Sequence, residues 1–325
     1  MQVSGKLNEM SRAIPLVDLS QFLGDNPSER DSFVQELGNS FKHIGFVGIK
    51  NHGVDPQLVK EFYAEAERFF SLPTEIKKKY EIPGLAGQRG YTSFGKEHAK
   101  HSNVADLKEF FQIGQTVEQD DPLKSEYPDN VKTEDTPQFA VLGDRLYRSF
   151  EQAGAHLLRA IAIYLGLEEN YFAAKINKGN SILRAIHYPP ILQEPASAIR
   201  AEQHEDINLI TLLVGASAGG LQVLNLQGAW LEVIPGENEI VVNVGDMLQR
   251  LTNNVLISTT HRVVNPPRHL WHVPRLSIPF FLHPRSEMDL SCLPSCVSPD
   301  NPCHYDPITA GAYLDERLKE IGLKK

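Results

Sequence analysis

Cysteine is scarce in this 325-residue chain: Cys292, Cys296 and Cys303 are the only three, and all fall in a Pro/Ser/Asp-rich segment near its C-terminal end. An odd count without a secretion signal argues against a disulfide framework, and the spacing fits no common zinc pattern. Free thiols on a loop are expected, with a soft-metal site there as the lesser reading. Positive charge is also short. The 32 Lys and Arg face 41 Asp and Glu, a formal net charge of -9, which makes a nucleic-acid backbone a poor partner. No stretch approaches the ~20 apolar residues of a membrane helix, and Met1 to Lys6 leads into no apolar core of signal-peptide type. The expectation is a cytoplasmic protein with no membrane and no nucleic-acid partner. Internal repeats, coiled-coil heptads and a phosphate-binding glycine loop are absent from the sequence as well.

What the chain does have is 41% hydrophobic residues, enough for a sizeable core, and two periodicities that separate along its length. Phe33, Leu37, Phe41 and Ile44 recur at helical spacing behind Asn26-Pro27-Ser28-Glu29, and Gly45 stops that helix. Phe46 to Ile49 reads as a short strand and Asn51-His52-Gly53 as a turn. Asp55-Pro56 then opens a second helix with the stripe Leu58, Phe62, Ala66 and Phe69, closed by Leu72-Pro73. Residues 81–136 are rich in Gly, Pro and charge, with Leu107 to Ile113 as their one convincing strand, and read as a substrate-facing region or lid. Residues 137–165 give a long helix with Leu142, Leu146, Phe150, Ala153, Leu157, Ile161 and Tyr164 on one face, suited to backing a sheet.

From Ser181 to Leu282 short β runs alternate with turn residues such as Gly219-Gly220 and Pro235-Gly236. Among these runs are Ile182 to Tyr188, Ile207 to Val214, Met247 to Leu251 and Leu276 to Leu282, and a short amphipathic helix from Ala312 to Ile321 follows. The predicted fold class is α+β and β-rich, a double-stranded β-helix (jelly-roll) core with flanking helices. Residues 1–136 form an N-terminal helical and mixed region with a substrate-side loop. Residues 137–325 form the scaffold helix, the catalytic core and the C-terminal helix, the whole making one compact unit.

Within the β-rich half, His204, Asp206 and His261 supply two imidazoles and one carboxylate, the ligand set of a mononuclear non-haem iron(II) centre that keeps positions open. Along a strand, residues i and i+2 share a face, so His204-Glu205-Asp206 offers two ligands to one ion while Glu205 turns away. His261 comes 55 positions later, at the end of Leu256 to Thr260, a β-prone run suited to lie beside the first strand. Arg275-Leu276-Ser277 follows 14 positions on and puts a guanidinium and a hydroxyl on one face, a pair suited to an anionic co-substrate. His187, His269, His272, His283 and His304 have no partner at ligand spacing and read as structural. Lys77-Lys78-Lys79 reads as a solvated helix face.

Taken in order, His204-x-Asp206, His261 and Arg275-x-Ser277 on a β-rich C-terminal half resemble the iron(II)/2-oxoglutarate-dependent oxygenases of the isopenicillin N synthase-like class. The likeness extends over most of the chain. Ile14 to Leu19 resembles the opening segment of that class, Gly45-Phe46 to Gly53 its first strand and turn, and Arg89-Gly90-Tyr91 its substrate-side loop. Tyr188-Pro189-Pro190, Gly220 to Val223, Asn243 to Asp246 and His261-Arg262-Val263 resemble its later landmarks. The resemblance implies that His204, Asp206 and His261 hold Fe(2+), that Arg275 and Ser277 hold the far carboxylate of 2-oxoglutarate, and that Tyr188 hydrogen-bonds the same carboxylate or the prime substrate. A planar guanidinium can grip a carboxylate with two parallel bonds, which lysine cannot do. The implied reaction spends dioxygen and 2-oxoglutarate, releases succinate and carbon dioxide, and oxidises a small organic substrate. Hydroxylation is the default outcome, and desaturation or cyclisation needs only another substrate pose. Ascorbate stands as an optional reductant.

Arg89 and Tyr91 of the substrate-side loop are candidate substrate contacts, Arg89 by a bidentate pair with a substrate carboxylate, with a surface arginine as its rival reading. Phe94, Phe110 and Phe280 are candidates to line the pocket, with core packing as the leading alternative for the last two. Two departures from the class stand out: Ile186-His187-Tyr188 replaces the Asn-Tyr-Tyr of many plant members, and Pro266 to His272 lengthens the interval before Arg275. Two other functions compete. One is an oxidase that uses the same iron site without 2-oxoglutarate, Arg275 and Ser277 binding the substrate's own carboxylate. The other is a non-catalytic ligand-binding or sensor protein on this fold.

Overall fold

The computed structural model describes residues 13–85, 87–98, 104–195 and 197–320; Ile321, the expected end of the last helix, lies outside them. In chain order the strands are β1 (Leu16–Asp18), β2 (Phe46–Lys50), β3 (Gly90–Thr92), β4 (Glu109–Gly114), β5 (Ile182–Tyr188), β6 (Ala201–His204) and β7 (Ile210–Val214). They continue as β8 (Leu221–Leu224), β9 (Trp230–Glu232), β10 (Ile240–Val244), β11 (His261–Val263), β12 (Arg275–Ser277) and β13 (Pro279–Leu282). One sheet runs in the order β1-β2-β10-β7-β13-β5-β4-β3, with β12 also paired to β5, and a smaller one runs β6-β11-β8-β9. This is a jelly roll, and a cavity of about 540 Å³ is lined by residues of both sheets. The strands before residue 137 belong to the same large sheet as β5, β7, β10, β12 and β13.

The helices are α1 (Leu19–Leu23), α2 (Pro27–His43), α3 (Pro56–Phe70), α4 (Thr74–Lys77), α5 (Pro137–Tyr164), α6 (Ala173–Ile176), α7 (Asp246–Leu251) and α8 (Ala310–Glu320). Asn26 and Asp55 cap α2 and α3 through side-chain bonds to the backbone N–H two residues on, each followed by a proline at the first helical position. The scaffold helix α5 backs the large sheet. Its Phe150 stacks on Phe280 with ring centroids 5.6 Å apart, and Tyr147 meets the same ring edge-on at 5.0 Å. Gly154 allows the close approach, since a Cβ there would sit 2.3 Å from Leu282 Cδ1.

The structure corrects four element assignments. Leu256 to Thr260 is irregular rather than a strand: Ile257 N–H, which a ladder would use, donates to Phe41 C=O at the end of α2 (3.1 Å), and the Thr259 hydroxyl donates to Ile44 C=O just beyond it (2.7 Å). Gly45, at φ 73°, makes room for this, because a Cβ there would lie 2.4 Å from Ile257 O. Met247 to Leu251 is the helix α7. A five-residue apolar run carries no period of its own, and Met247, Leu248 and Leu251 all bury at helical spacing. Leu276 to Leu282 divides into β12 and β13 at Pro279, which has no N–H to donate. The strand that carries His204 ends there, so Asp206 lies just past it, and β3 is a further strand within residues 81–136. The cysteines are unbridged as expected. Cys292 and Cys303 nonetheless touch, Sγ to Sγ 3.0 Å, while Cys296 is buried apart. Among the described residues no cysteine joins a group with metal-binding geometry, and no helix is long and apolar enough to cross a membrane.

Candidate active site

Antiparallel pairing sets His261 on β11 directly opposite His204 on β6. The imidazole centroids are 4.4 Å apart, and Asp206 Oδ1 lies 4.0 Å from His204 Nε2 and 3.8 Å from His261 Nε2. One donor atom from each residue falls within 4.8 Å of the others. Each imidazole is oriented by the backbone: His204 Nδ1 lies 2.6 Å from Glu202 C=O and His261 Nδ1 3.1 Å from Thr259 C=O. A carbonyl only accepts, so Nδ1 carries the proton and Nε2 is left with a bare lone pair aimed at the common point. Asp206 is held the same way. Its Oδ2 accepts from Thr211 Oγ1 (2.6 Å) and Asn243 Nδ2 (2.8 Å), leaving Oδ1 for an ion. Burial opposes charge on Asp206, but His261, His204 and those two hydrogen bonds outweigh it and keep the carboxyl below its usual pKa. Burial and the neighbouring His261 lower the pKa of His204, which favours the neutral, ligating imidazole.

The alternation of β5 turns Ile182, Arg184, Ile186 and Tyr188 into the cavity. Arg275 pairs across from Tyr188 and Ser277 from Ile186, so the residues expected at the co-substrate meet at one end. Arg275 is 2% exposed. Its Nε donates to Ala218 C=O (3.0 Å), its guanidinium carbon lies 5.0 Å from the Tyr188 ring centroid, and its buried Nη1 has no partner. Among the described residues no carboxylate pairs with it. A buried guanidinium with an orphaned donor calls for an anion, since leaving it unpaired costs free energy. Arg262, next to His261, points elsewhere, donating to Gln222 and stacking on Trp230.

Comparison with known proteins bears on both ends. Residues 14–135 match the N-terminal region described as "non-haem dioxygenase in morphine synthesis N-terminal", and residues 179–284 match the 2OG-Fe(II) oxygenase superfamily. A 2-oxoglutarate-dependent dioxygenase of Aspergillus rugulosus is 32% identical over 94% of this chain and 98% of its own length. The chain belongs to the 2OG-Fe(II) oxygenase superfamily. A proline hydroxylase of Petromyces alliaceus is 33% identical over 93% of this chain and 97% of its own. Among solved structures, a 2OG-Fe(II) oxygenase family protein from Caulobacter crescentus superposes with TM-score 0.86 at 42% identity, covering 96% of this chain and 100% of that one. A Neurospora crassa protein solved with alpha-KG and thymine superposes with TM-score 0.83 at 31% identity, covering 96% and 98%. The protein is an iron(II)- and 2-oxoglutarate-dependent dioxygenase. Bound iron(II) and 2-oxoglutarate supply the activation of dioxygen; the chain supplies the cavity that orients the reactants and keeps water out.

A charge network around Arg184 and Lys108 also lines the oxygenase cavity, and the sequence motifs do not announce it. Lys108 Nζ bridges Glu97 (2.7 Å) and Asp106 (2.7 Å), and Arg184 Nη1 reaches Glu97 (3.1 Å) while its Nε donates to Gln112 (2.9 Å). The Arg184 guanidinium also lies over Phe110 at 4.1 Å and Phe281 at 5.3 Å. Burial raises the Glu97 pKa, but Arg184 and Lys108 outweigh it and bring it to about 2. The signal was available in principle: Lys108 and Gln112 share the phase of Phe110 on β4, and Arg184 that of Tyr188 on β5. On β13 the same alternation turns Phe281 into the cavity and Phe280 into the core. Phe94 is 48% exposed.

Arg89 and Tyr91 are not brought to the cavity. Arg89 is buried against Gly114, where a Cβ would sit 1.9 Å from its guanidinium carbon, and Nη1 donates to Gln88 C=O (2.7 Å). Gln88 lines the cavity in its place. Tyr91 pairs with Phe111, on the face of β4 turned from the cavity, and its hydroxyl donates to Glu109. Glu109 also takes Lys77 Nζ (2.7 Å) and His187 Nδ1 (2.7 Å), so Lys77 is a buried ion-pair partner rather than part of a solvated face. The pleat decides: neighbours in a strand face opposite ways, and a loop motif does not say which way each points.

His283 gives the protein an acid sensitivity. Burial pushes its pKa down to about 4, with Nδ1 bonded to Phe281 C=O and Nε2 buried without a partner. The unfolded chain protonates this residue near ~6.5 and so binds more protons, and stability falls as pH falls from there towards 4. The expected loss is about 2–3 kcal/mol by pH ~4.5. Urea denaturation at neutral and acid pH should show His283→Gln losing less stability than wild type by that amount; equal losses would refute it.

Proposed function

We propose that His204, Asp206 and His261 are the iron(II) ligands of this oxygenase, and that Arg275, Ser277 and Tyr188 bind the far carboxylate of 2-oxoglutarate. One observation carries the reading. Three donor atoms free of competing bonds converge in the same cavity as a buried guanidinium with an unpartnered N–H. Three protein ligands leave about three positions on an octahedral ion, enough for a bidentate 2-oxo acid and dioxygen. On the ordered set of matching residues we place the chain in the isopenicillin N synthase-like class.

The prime substrate is a small polar organic molecule that sits between the ligand triad and the Arg184–Glu97 network. The cavity size supports this, as do relatives named for proline hydroxylation or solved with thymine. Its C–H bond is presented to the metal, and hydroxylation is the expected outcome. Asn243→Ala, which frees Asp206 to rotate, should weaken iron(II) binding roughly 10–100-fold, measured by competition with a metal chelator; unchanged affinity would count against Asp206 as a ligand.

The decisive experiment is an anaerobic titration of iron(II)-loaded protein with 2-oxoglutarate, watching the weak visible charge-transfer band of a chelated 2-oxo acid. A band that disappears in His204→Ala supports the assignment. A band that persists in that variant overturns the ligand set.

A further inference from the structure

Arg275 is not alone at its end of the cavity. Arg200, which immediately precedes β6, is 2% exposed, and its guanidinium carbon lies 5.9 Å from the centroid of the same Tyr188 ring. Its Nη2 donates to Val273 C=O (3.0 Å), its Nε is buried with no partner, and among the described residues no carboxylate pairs with it. The charged group it senses most is the like-charged Arg275. Burial first, and then Arg275, lower its pKa to about 10, so it remains a cation at neutral pH. Two buried guanidiniums thus stand beside one aromatic ring, and among the described residues neither has a carboxylate partner. Arg184 and Lys108 in the same cavity differ, since Glu97 and Asp106 answer them.

We propose that Arg200 is a positioning residue for the co-substrate, a second cation that acts through Tyr188 and Arg275 to select a 2-oxo acid bearing a distal carboxylate. The proposal rests on the reading that Arg275 holds that carboxylate. Arg200 does not line the cavity, so its contribution is potential and support, not a direct bond. Two buried like charges repel at low effective dielectric, and a dicarboxylate entering between them and the metal relieves that repulsion. A 2-oxo acid without the second carboxylate gains nothing from it. The Val273 bond also ties the approach to His204 to the approach to Arg275, and a purely mechanical tether is the competing role to be separated.

The test is anaerobic titration calorimetry on the iron(II)-loaded protein, with 2-oxoglutarate and with 2-oxobutyrate, which lacks the distal carboxylate. Arg200→Gln is expected to weaken 2-oxoglutarate binding roughly tenfold and leave 2-oxobutyrate within about twofold. Arg200→Lys, which keeps the charge, should recover most of the loss. Equal weakening of both acids, or of neither, overturns the proposal, and so does a lysine variant no better than glutamine. Arg275→Gln is the control for the underlying reading: if it leaves 2-oxoglutarate affinity unchanged, that reading fails and takes this inference with it. A loss in Arg275→Gln alone leaves the reading standing and sinks only the role of Arg200.

Discussion

Asp206→Ala is expected to abolish iron(II) binding and 2-oxoglutarate turnover while leaving the metal-free protein folded. The carboxylate is the one anionic donor in the triad, and without it two neutral imidazoles face a doubly charged ion alone. The loss should exceed the roughly 100-fold that follows when a ligand's supporting hydrogen bond is removed. Folding is less exposed to the change. Burial already penalises the Asp206 charge, and it is the neighbours that hold it ionised. Asp206→Asn separates charge from shape: it keeps an acceptor for Thr211 and removes the anion. Iron(II) binding by chelator competition and succinate release by chromatography check both variants. Succinate released at the wild-type rate by either would end the assignment of Asp206.

Arg275→Gln is expected to raise the dissociation constant of 2-oxoglutarate by roughly 100- to 5,000-fold, the range for breaking a buried charge pair at about 3–5 kcal/mol. Iron(II) affinity should barely move, since Arg275 forms no hydrogen bond or ion pair with His204, Asp206 or His261. Arg275→Lys should recover only part, because an ammonium cannot reproduce two parallel bonds while also donating to Ala218. A second measurement runs in the opposite direction. In protein without co-substrate the guanidinium is buried with an unpartnered Nη1, so Arg275→Met should raise the thermal midpoint as it weakens co-substrate binding. A variant that lowered both would point to a structural role.

Helix boundaries were legible because capping chemistry is local: Asn26-Pro27, Asp55-Pro56 and Gly45 act within a few residues of themselves. The irregular run before His261 was not, because its hydrogen bonds go to the end of α2, more than 200 residues earlier in the chain. Met247 to Leu251 failed for another reason, being too short for its apolar residues to define a period. Arg89 and Tyr91 were expected at the substrate because of the loop that carries them, but a pleated strand sends adjacent side chains to opposite faces. Arg89 and Tyr91 face away, and Gln88 and Gln112 face the cavity.

By itself the sequence determined the helices with strong caps, the jelly-roll class, and the residue types that can hold iron(II) and a dicarboxylate. Those properties depend on near neighbours and on ordered motifs along the chain. Only the tertiary structure decided that His261 sits opposite His204, that Asn243 and Thr211 lock Asp206, that Arg200 joins Arg275 beside Tyr188, and that Lys108 and Arg184 share Glu97. Each of these is a meeting of side chains far apart in the chain, carried by strands and the segments that flank them and set by sheet register and burial. A unit slip in that register would turn every one of them to the other face.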